Sequence, residues 1–430
     1  MSLPRLISSR QNRLPAGVFL LWIQPLVFLG IFYFYPLGSI LVESFARSDN
    51  WTTELFGMLA SAGVRDIFWF TLWQAALSTL LTLCIGLPAA YLFARYEFPG
   101  KSALKALSAI PFVLPTLVVA VAFNALLGPQ GLVNYALMSL FNLELPPIQF
   151  TNTLLAILVA HVFYNTTIVI RLVGDFWSHL DPKLSQAAQV LGANRWRTLW
   201  GVTIPLLAPA IASATMLIFI FTFTSVGVIL VLGGPQFSTL ETEIYYQTTS
   251  LFNLPLAATL AVIQLLCTFL LMLLYTRLTE RLARPLDLRP ASHTQRQPGT
   301  WRERIFAAAV ILVLLVLIFA PLFALAARSV SRYERGSSAT TRAGYGAPEW
   351  QGLTLDYYRE LNTDRRGSRF YAAPATTITV SLLYAGGTVL LALLLGTPAA
   401  WALSRDQRSS FNRAVDPILM LPLGTSAVTL

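Results

Sequence analysis

Long apolar runs separated by short polar and basic stretches make up most of this chain. A helix needs about 20 apolar residues to cross a bilayer. Eight runs are long enough to cross, and they lie near residues 17–42, 67–94, 106–127, 152–170, 206–232, 252–276, 305–327 and 373–403. A ninth apolar run begins near Val415. The pattern predicts an all-α polytopic membrane protein.

The distribution of basic residues predicts which side of the membrane each loop faces, because cytoplasmic loops carry an excess of Lys and Arg. Loops 128–151 and 233–251 contain neither residue. The basic segments are the N-terminal tail, loop 95–105, loop 171–205 and segment 277–304. These counts predict a cytoplasmic N-terminus. Residues 328–372 conflict with this topology, because their eight arginines fall in a loop that should lie outside.

Composition supports a membrane protein. Hydrophobic residues make up 55% of the chain and charged residues 12%, whereas soluble domains carry about 25% charged residues. The net charge of +10 is explained by the basic loops, so it does not indicate binding to nucleic acid. Cys84 and Cys267 both lie in apolar runs, which favours small core residues over a disulfide or a metal site.

The stretch from Asp181 to Pro205, called here the 181–205 loop, is polar and basic between two apolar runs. Asp181 is expected to cap a short helix that ends at Gly192. Asn194 is expected to cap a second short helix, and Pro205 to end that helix or open the next. The first helix would have one apolar face, formed by Leu184, Ala187, Ala188 and Leu191.

The 181–205 loop resembles the "EAA" loop of binding-protein-dependent ABC importer permeases. That motif reads Glu-Ala-Ala, three residues, Gly, nine residues, Ile, one residue and Leu-Pro. The present chain keeps the spacing, with conservative replacements at Gln186, Val202 and Ile204. An amide at position 186 keeps hydrogen bonding but loses the charge of the usual Glu.

The resemblance implies the fold of a type I ABC importer transmembrane domain in a bacterial inner membrane. It also implies three partners: a cytoplasmic ATPase dimer, a periplasmic or lipid-anchored substrate-binding protein, and the bilayer. No cofactor is implied. The residues that would form the ATPase-coupling loop are Gln186, Ala187, Ala188, Gly192, Arg195, Arg197, Ile204 and Pro205.

Within this family, the chain most resembles the permeases of thiamine and ferric-iron importers, which fuse two such units in one chain. The stretches 161–165 and 231–236 look most like the thiamine permease. An internal repeat agrees with two units, because Gly86 to Arg95 matches Gly396 to Arg405 in the pattern Gly-x-Pro-Ala-Ala and in the final arginine. The second unit would lack its own EAA loop, so we expect a fragment of a longer permease.

The repeat and the linker composition predict five segments. Residues 1–66 form a spanning helix with an outer loop, and 67–277 form the first transmembrane domain. Residues 278–304 form a cytoplasmic linker, and 305–372 a further spanning helix with an outer loop. Residues 373–430 begin the second domain.

Several rival functions are left open. Proton- and sodium-coupled carriers usually keep carboxylates in their spans, and the eight complete runs contain no Asp or Glu. Gly100-Lys101-Ser102 resembles the end of a phosphate-binding loop, but Arg95 stands where that motif needs glycine. These observations favour a permease driven by a separate ATPase over an ion-coupled carrier or a membrane enzyme. An inactive fragment remains an alternative.

A few polar residues inside the spans are candidates for a substrate pathway, although such groups also bond neighbouring helices. Pro111 and Pro115 are expected to kink the third span. Glu241 and Glu243 would either present acid to a partner or lie in a solvated loop. The pathway candidates are Asn124, His161, Asn165, Thr222, Thr224 and Ser225.

Overall fold

The structure, a computed structural model, describes residues 16–45, 57, 60–234, 236–282, 294–335, 348–362, 374–405, 415, 418–419 and 422. These residues are almost entirely helical, and one antiparallel hairpin is present among them. Contacts divide the described residues into two units. The larger unit holds those of 44–359, and the smaller holds those up to 43 and from 360 to 422.

The larger unit contains the 181–205 loop. Its α-helices are Ala62–Arg95, Lys101–Leu107, Ile110–Val113, Thr116–Leu127, Leu132–Phe141, Leu154–Ile168, Gly174–His179, Pro182–Val190, Arg195–Thr198, Ile204–Phe223, Leu240–Thr249, Leu254–Leu282, Trp301–Ser329 and Asp356–Arg359. Its π-helical segments are Val169–Val173, Leu199–Thr203 and Ile229–Gly233. Its strands are Ser331–Arg335 and Pro348–Leu353.

The smaller unit contains the first and last predicted spans. Its elements are the α-helices Ala16–Leu29, Tyr35–Phe45 and Pro374–Arg405, the π-helical segment Gly30–Phe34 and the 3₁₀-helix Glu360–Asn362. Trp22 packs with Ala402 in a small apolar cluster of this unit.

Among the described residues, seven helical stretches are long and apolar enough to cross a membrane. They are Ala62–Arg95, Thr116–Phe141, Leu154–His179, Arg195–Phe223, Leu254–Thr279, Trp301–Ser329 and Pro374–Ala402. The predicted span 17–42 is helical but is not one of the seven. Most of the run that begins at Val415 lies outside the described residues. The prediction of an all-α polytopic membrane protein is confirmed.

The predicted span 106–127 is divided by proline. The backbone leaves the helix at Leu114, where ψ is 137°, and the helix resumes at Thr116. The expected kink is present at Pro115. Pro111 lies in the first turn of Ile110–Val113, where the missing N–H costs no helical hydrogen bond.

A crossing helix is present at the predicted span 206–232, but it lies within Arg195–Phe223 and ends earlier than predicted. The helix ends at Phe223 and a second helical segment starts at Gly227. Gly227 lies so close to Thr116 that a Cβ atom would collide with the threonine hydroxyl. Hydropathy does not reveal this break, because residues on both sides of it are apolar.

The helix Leu154–His179 lies at the centre of the larger unit, and 78% of its most apolar 18-residue stretch is buried. It packs against Ala62–Arg95 through small side chains. A Cβ at Gly86 would lie 2.6 Å from Cβ of Val169, and one at Gly174 would lie 3.3 Å from Cα of Ala90. Small residues let membrane helices approach closely, so that dispersion contacts hold them together.

This packing gives a physical reason for the repeated Gly-x-Pro-Ala-Ala pattern. In the first copy, Ala89 and Ala90 are fully buried. In the second copy, no described atom lies within 4 Å of the position of a Cβ on Gly396. In Pro374–Ala402, none of the residues in the most apolar 18-residue stretch is buried among the described residues. The glycine of the motif is therefore closely packed in the first copy and open in the second, where Ala399 is nevertheless buried.

The two ends of the bundle are defined by hydrogen bonds between loops. At one end, Lys105 forms an ion pair with Asp175, and the backbone N–H of Arg296 donates to the Arg95 carbonyl oxygen at 3.0 Å. This end carries the 181–205 loop. The predicted basic segments 95–105, 171–205 and 277–304 therefore meet, as far as they are described, at one end.

The arginine-rich segment after the helix Trp301–Ser329 lies at the opposite end. The Arg328 guanidinium donates to the Gln130 carbonyl oxygen at 2.9 Å, and residue 130 connects Thr116–Leu127 to Leu132–Phe141. The strand hairpin and the helix Asp356–Arg359 follow there. The described part of 328–359 thus lies at the end of the bundle opposite the 181–205 loop, because Trp301–Ser329 runs from one end to the other.

The predicted outer loop 233–251 is largely a helix, Leu240–Thr249. Glu241 is fully buried. Glu243 accepts hydrogen bonds from Ser238 at 2.7 Å and from Gln247 at 2.7 Å. The bonds of Glu243 therefore stabilise this helix, and the expectation of a solvated loop is wrong because 240–249 are helical and Glu241 is buried.

The packing at Gly86 predicts a difference between the two copies of the repeat. Gly86→Ala should destabilise the protein by about 1–3 kcal/mol, because the added methyl group overlaps Val169. Gly396→Ala should be neutral or slightly stabilising, because the site is open and Ala favours helix. Thermal unfolding of the two purified variants in detergent measures the difference. Equal melting temperatures would contradict the packing account.

Candidate functional site

The first helix of the 181–205 loop forms as its sequence predicts. The helix is Pro182–Val190. The Asp181 carboxylate accepts a hydrogen bond from the Lys183 backbone N–H at 3.0 Å, and Pro182 occupies the first turn. The cap satisfies a backbone donor that the helix itself leaves free.

The helix ends in a Schellman motif centred on Gly192. The Gly192 N–H donates to the Gln189 carbonyl oxygen at 3.0 Å, and the Ala193 N–H donates to the Ala188 carbonyl oxygen at 3.0 Å. Gly192 has φ of +89°, a conformation in which other L-residues are strained. The chain therefore turns sharply here, as the position of the glycine predicts.

The second helix begins as expected, and of the two expected positions Pro205 takes the one that opens the next helix. The Asn194 side-chain oxygen accepts a hydrogen bond from the Arg197 N–H at 2.8 Å. The helix then continues through the π-helical segment Leu199–Thr203 into Ile204–Phe223. Pro205 therefore lies within a continuous helical stretch, in the first turn of its α-helical part. A π-helical turn accommodates a residue that cannot donate a backbone hydrogen bond.

The predicted apolar face of the loop is mostly exposed, since Leu191 is 88% exposed, Leu184 is 45% exposed and Ala187 is exposed, whereas Ala188 is half-buried. Beside this face, Val190 and Trp196 are 87% and 70% exposed. A Cβ at Gly192 would meet no described atom within 4 Å. Large apolar side chains are therefore exposed on both helical segments of the loop.

The opposite side of the loop borders a cavity of about 540 Å³. The loop contributes Gln186, Arg195 and Thr198 to the cavity wall, and the bundle contributes Arg95 and Trp177. Gln186, which replaces the usual glutamate of the motif, thus lines the same cavity as Arg95 and Arg195. We call this space the loop cavity.

The segment 294–304 closes one side of the loop cavity. The Arg296 guanidinium forms two hydrogen bonds with the Glu303 carboxylate, at 3.1 and 2.5 Å, and lies 5.4 Å from the ring centroid of Tyr96. The bond to Glu303 raises the pKa of Arg296, so the guanidinium stays charged. The Thr294 hydroxyl donates to the Ser178 carbonyl oxygen. This part of the predicted linker is therefore docked beside the 181–205 loop.

The pathway candidates lie on Leu154–Ile168, on Thr116–Leu127 and around the end of Ile204–Phe223. His161 and Asn165 are buried on Leu154–Ile168. The Thr222 hydroxyl donates to the Ile218 carbonyl oxygen at 2.8 Å. Thr224 donates likewise to Ile220 at 2.9 Å. Asn124 is exposed on Thr116–Leu127, and Ser225 is half-buried in the break after Phe223.

His161 belongs to a buried polar cluster that sequence reasoning missed. Its Nδ1 lies 2.9 Å from Nε2 of Gln74 and 3.0 Å from Oγ of Ser78. A periodic signal was present in the sequence, since polar residues recur on one face of Ala62–Arg95 at positions 71, 74, 78 and 82. All four are fully buried. Polar groups of this kind hold membrane helices together.

The fold and the 181–205 loop together define the class of the protein: a multi-pass helical membrane protein with two capped helices at one end of its bundle. These two helices, Pro182–Val190 and Arg195–Thr198, and the turn at Gly192 between them are called here the elbow. Residues 83–284 match the family model described as "Binding-protein-dependent transport system inner membrane component". This part of the chain, which includes the 181–205 loop, therefore belongs to that family. The resemblance inferred from the EAA spacing is confirmed.

Relatives are found among several transport systems. The thiamine transport system permease protein ThiP of Salmonella typhimurium is 32% identical over 268 residues, which are 61% of this chain and 48% of that protein. The putative 2-aminoethylphosphonate transport system permease protein PhnU of Salmonella paratyphi A is 29% identical over 61% of this chain and 92% of that protein. The match thus spans about half the length of the thiamine permease.

A solved structure confirms the fold. The crystal structure of a bacterial alginate ABC transporter, in complex with an alginate pentasaccharide-bound periplasmic protein, aligns with a TM-score of 0.50. Identity is 19%, and the alignment covers 62% of this chain and 94% of that one. The bundle therefore has the fold of an ABC importer transmembrane chain.

The positive φ at Gly192 predicts a conformational cost for any side chain there. Gly192→Ala should weaken the elbow by about 1–2 kcal/mol, since a left-handed backbone is strained for alanine. Gly201→Ala is the matched control, because Gly201 also has free space around it but no positive φ. Hydrogen exchange of peptides from 181–205 should rise in the first variant alone. Equal exchange in both would contradict the assignment.

Proposed function

We propose that the chain is the permease subunit of an ATP-driven, binding-protein-dependent importer in a bacterial inner membrane, with its N-terminus in the cytoplasm. The observation that carries this proposal is the exposed elbow of the 181–205 loop. Its apolar tip, Val190 and Leu191, projects from the bundle on a helix whose ends are capped within the chain. A rigid apolar projection suits insertion into a groove of a second protein.

The partner at this elbow is a cytoplasmic ATPase dimer. The eight complete apolar runs of the sequence contain no carboxylate that could couple transport to an ion gradient. Energy must then enter through a contact with another subunit, and the elbow supplies that contact. Its proposed coupling residues are Gln186, Ala187, Ala188, Gly192, Arg195, Arg197, Ile204 and Pro205.

The second partner is a substrate-binding protein that docks at the opposite end of the bundle. The alginate transporter shares the fold and is described in complex with a periplasmic protein. In the present chain, the surface available at that end includes the exposed Leu353, which ends the second strand, and the exposed Leu355 and Tyr357 after it.

Thiamine is the proposed substrate. The support is the relationship to ThiP, together with the likeness of stretches 161–165 and 231–236 to thiamine permeases. A phosphonate is the second candidate, because PhnU is related over most of its own length. Ferric iron, the other substrate expected from the sequence, is a third. Among the pathway candidates, Asn124 is the exposed one within a span, and we propose that it lines the route.

Docking of the ATPase can be tested with an exposed residue of the elbow. Leu191→Asp should lower co-purification of the ATPase subunit at least about tenfold, because a carboxylate would be desolvated in the contact. The permease itself should unfold at an unchanged temperature, since Leu191 is 88% exposed.

Leu353→Asp provides the matched control at the other end of the bundle, where Leu353 is 79% exposed. It should leave ATPase binding unchanged. Normal co-purification of the Leu191→Asp variant, or equal loss in both variants, would show that the elbow is not the docking site.

Substrate choice can be tested in proteoliposomes that contain the chain, its ATPase and its binding protein. ATP-dependent uptake should be seen with labelled thiamine. It should exceed uptake of 2-aminoethylphosphonate and ferric ion at equal concentrations. Uptake that follows an imposed proton or sodium gradient without ATP would instead support an ion-coupled carrier.

A further inference from the structure

We propose that the loop cavity binds a phosphate group, supplied either by the headgroup of an anionic lipid or by a soluble phosphate compound. The cavity lies behind the elbow, on the side away from the exposed tip. Its assignment to the cytoplasmic face rests on the proposed function, whereas binding can be measured without transport.

The charges around the loop cavity favour an anion. Arg95, Arg195 and Arg296 line it, against one acid, Glu303. Arg296 and Glu303 neutralise each other in a two-point ion pair. Asp181 interacts electrostatically with Arg95. Arg195 belongs to none of the ion pairs among the described residues, so its guanidinium remains available for a ligand.

Two buried donors in the cavity wall have no partner among the described residues. Nε1 of Trp177 and Oγ1 of Thr198 are both buried without a hydrogen bond in that part of the chain, and both residues line the loop cavity. Burying a donor without an acceptor costs free energy. A phosphate offers several acceptor oxygens, so a small reorientation of either side chain would pair it with a bound phosphate.

The size and position of the cavity fit the same ligand. A volume of about 540 Å³ lies within the range of about 300–1,000 Å³ that is usual for small-molecule sites. The cavity lies where the helices Ala62–Arg95 and Leu154–His179 end. Basic pockets between membrane helices at the cytoplasmic side are suited to anionic headgroups.

A ligand in the cavity would affect the elbow. Arg195 and Thr198 belong to the loop, whereas Arg95 and Trp177 belong to the bundle. A phosphate that contacts both groups would stabilise one position of the loop relative to the bundle. Because the loop is the proposed entry point for ATPase motion, such a ligand would regulate coupling.

The test uses the purified chain in nanodiscs and has two arms. In the first arm, nanodiscs of phosphatidylcholine receive inorganic phosphate or pyrophosphate. In the second, phosphatidylglycerol replaces part of the phosphatidylcholine. Thermal stabilisation and its concentration dependence give the affinity in each arm. Stabilisation in the first arm identifies a soluble ligand, and stabilisation in the second alone identifies a lipid headgroup.

Three variants locate the site. Arg195→Gln should lower the affinity at least about tenfold, as expected for loss of a charged hydrogen bond. Arg197→Gln, on the same helical turn but outside the cavity wall, should bind as the wild type does. Thr198→Val should weaken binding while leaving the melting temperature of the ligand-free protein unchanged or higher, because its hydroxyl has no partner to lose.

Several results would overturn the proposal. They are the absence of stabilisation in both arms, equal weakening by Arg195→Gln and Arg197→Gln, and wild-type affinity in both the Arg195→Gln and Thr198→Val variants. Since the ATPase is absent from this measurement, such a result would leave the importer proposal standing. Conversely, failure of ATP-driven uptake would leave a measured phosphate site standing.

Discussion

The close approach of two helices, Ala62–Arg95 and Leu154–His179, is the contact on which the rest of the larger unit depends. In lipid, apolar side chains gain little from leaving their surroundings, so helices associate through tight dispersion contacts. Gly86 and Gly174 remove the Cβ atoms that would separate the two backbones. The buried Gln74, Ser78 and His161 cluster adds hydrogen bonds along the same interface.

This contact also fixes the geometry of the 181–205 loop. Both helices end at the same face of the bundle, where Lys105 pairs with Asp175 and segment 294–304 attaches to Arg95. The elbow therefore starts from a rigid base. It continues without interruption into Arg195–Phe223, so a force on the elbow is transmitted directly to a spanning helix. The sequence predicts a short second helix there, and this continuity into a spanning helix is what the structure adds.

Local signals in the sequence were sufficient where the local backbone decides the structure. The caps at Asp181 and Asn194 and the left-handed turn at Gly192 depend on residues within a few positions. They formed as expected. Predictions failed where distant segments meet: the break after Phe223 lies beside Thr116, and Glu241 is enclosed by neighbouring helices rather than exposed in a loop.

The sequence by itself determined the class of the protein, because apolar runs long enough to cross a bilayer and the spacing of the EAA loop are one-dimensional patterns. Tertiary structure decided which polar residues are buried and at which end of the bundle Trp301–Ser329 ends. It also decided that the side of the 181–205 loop that faces the bundle borders a cavity lined by arginines. These features depend on residues such as Arg95, Trp177 and Arg195, which are far apart in the chain. Helix packing alone brings them together.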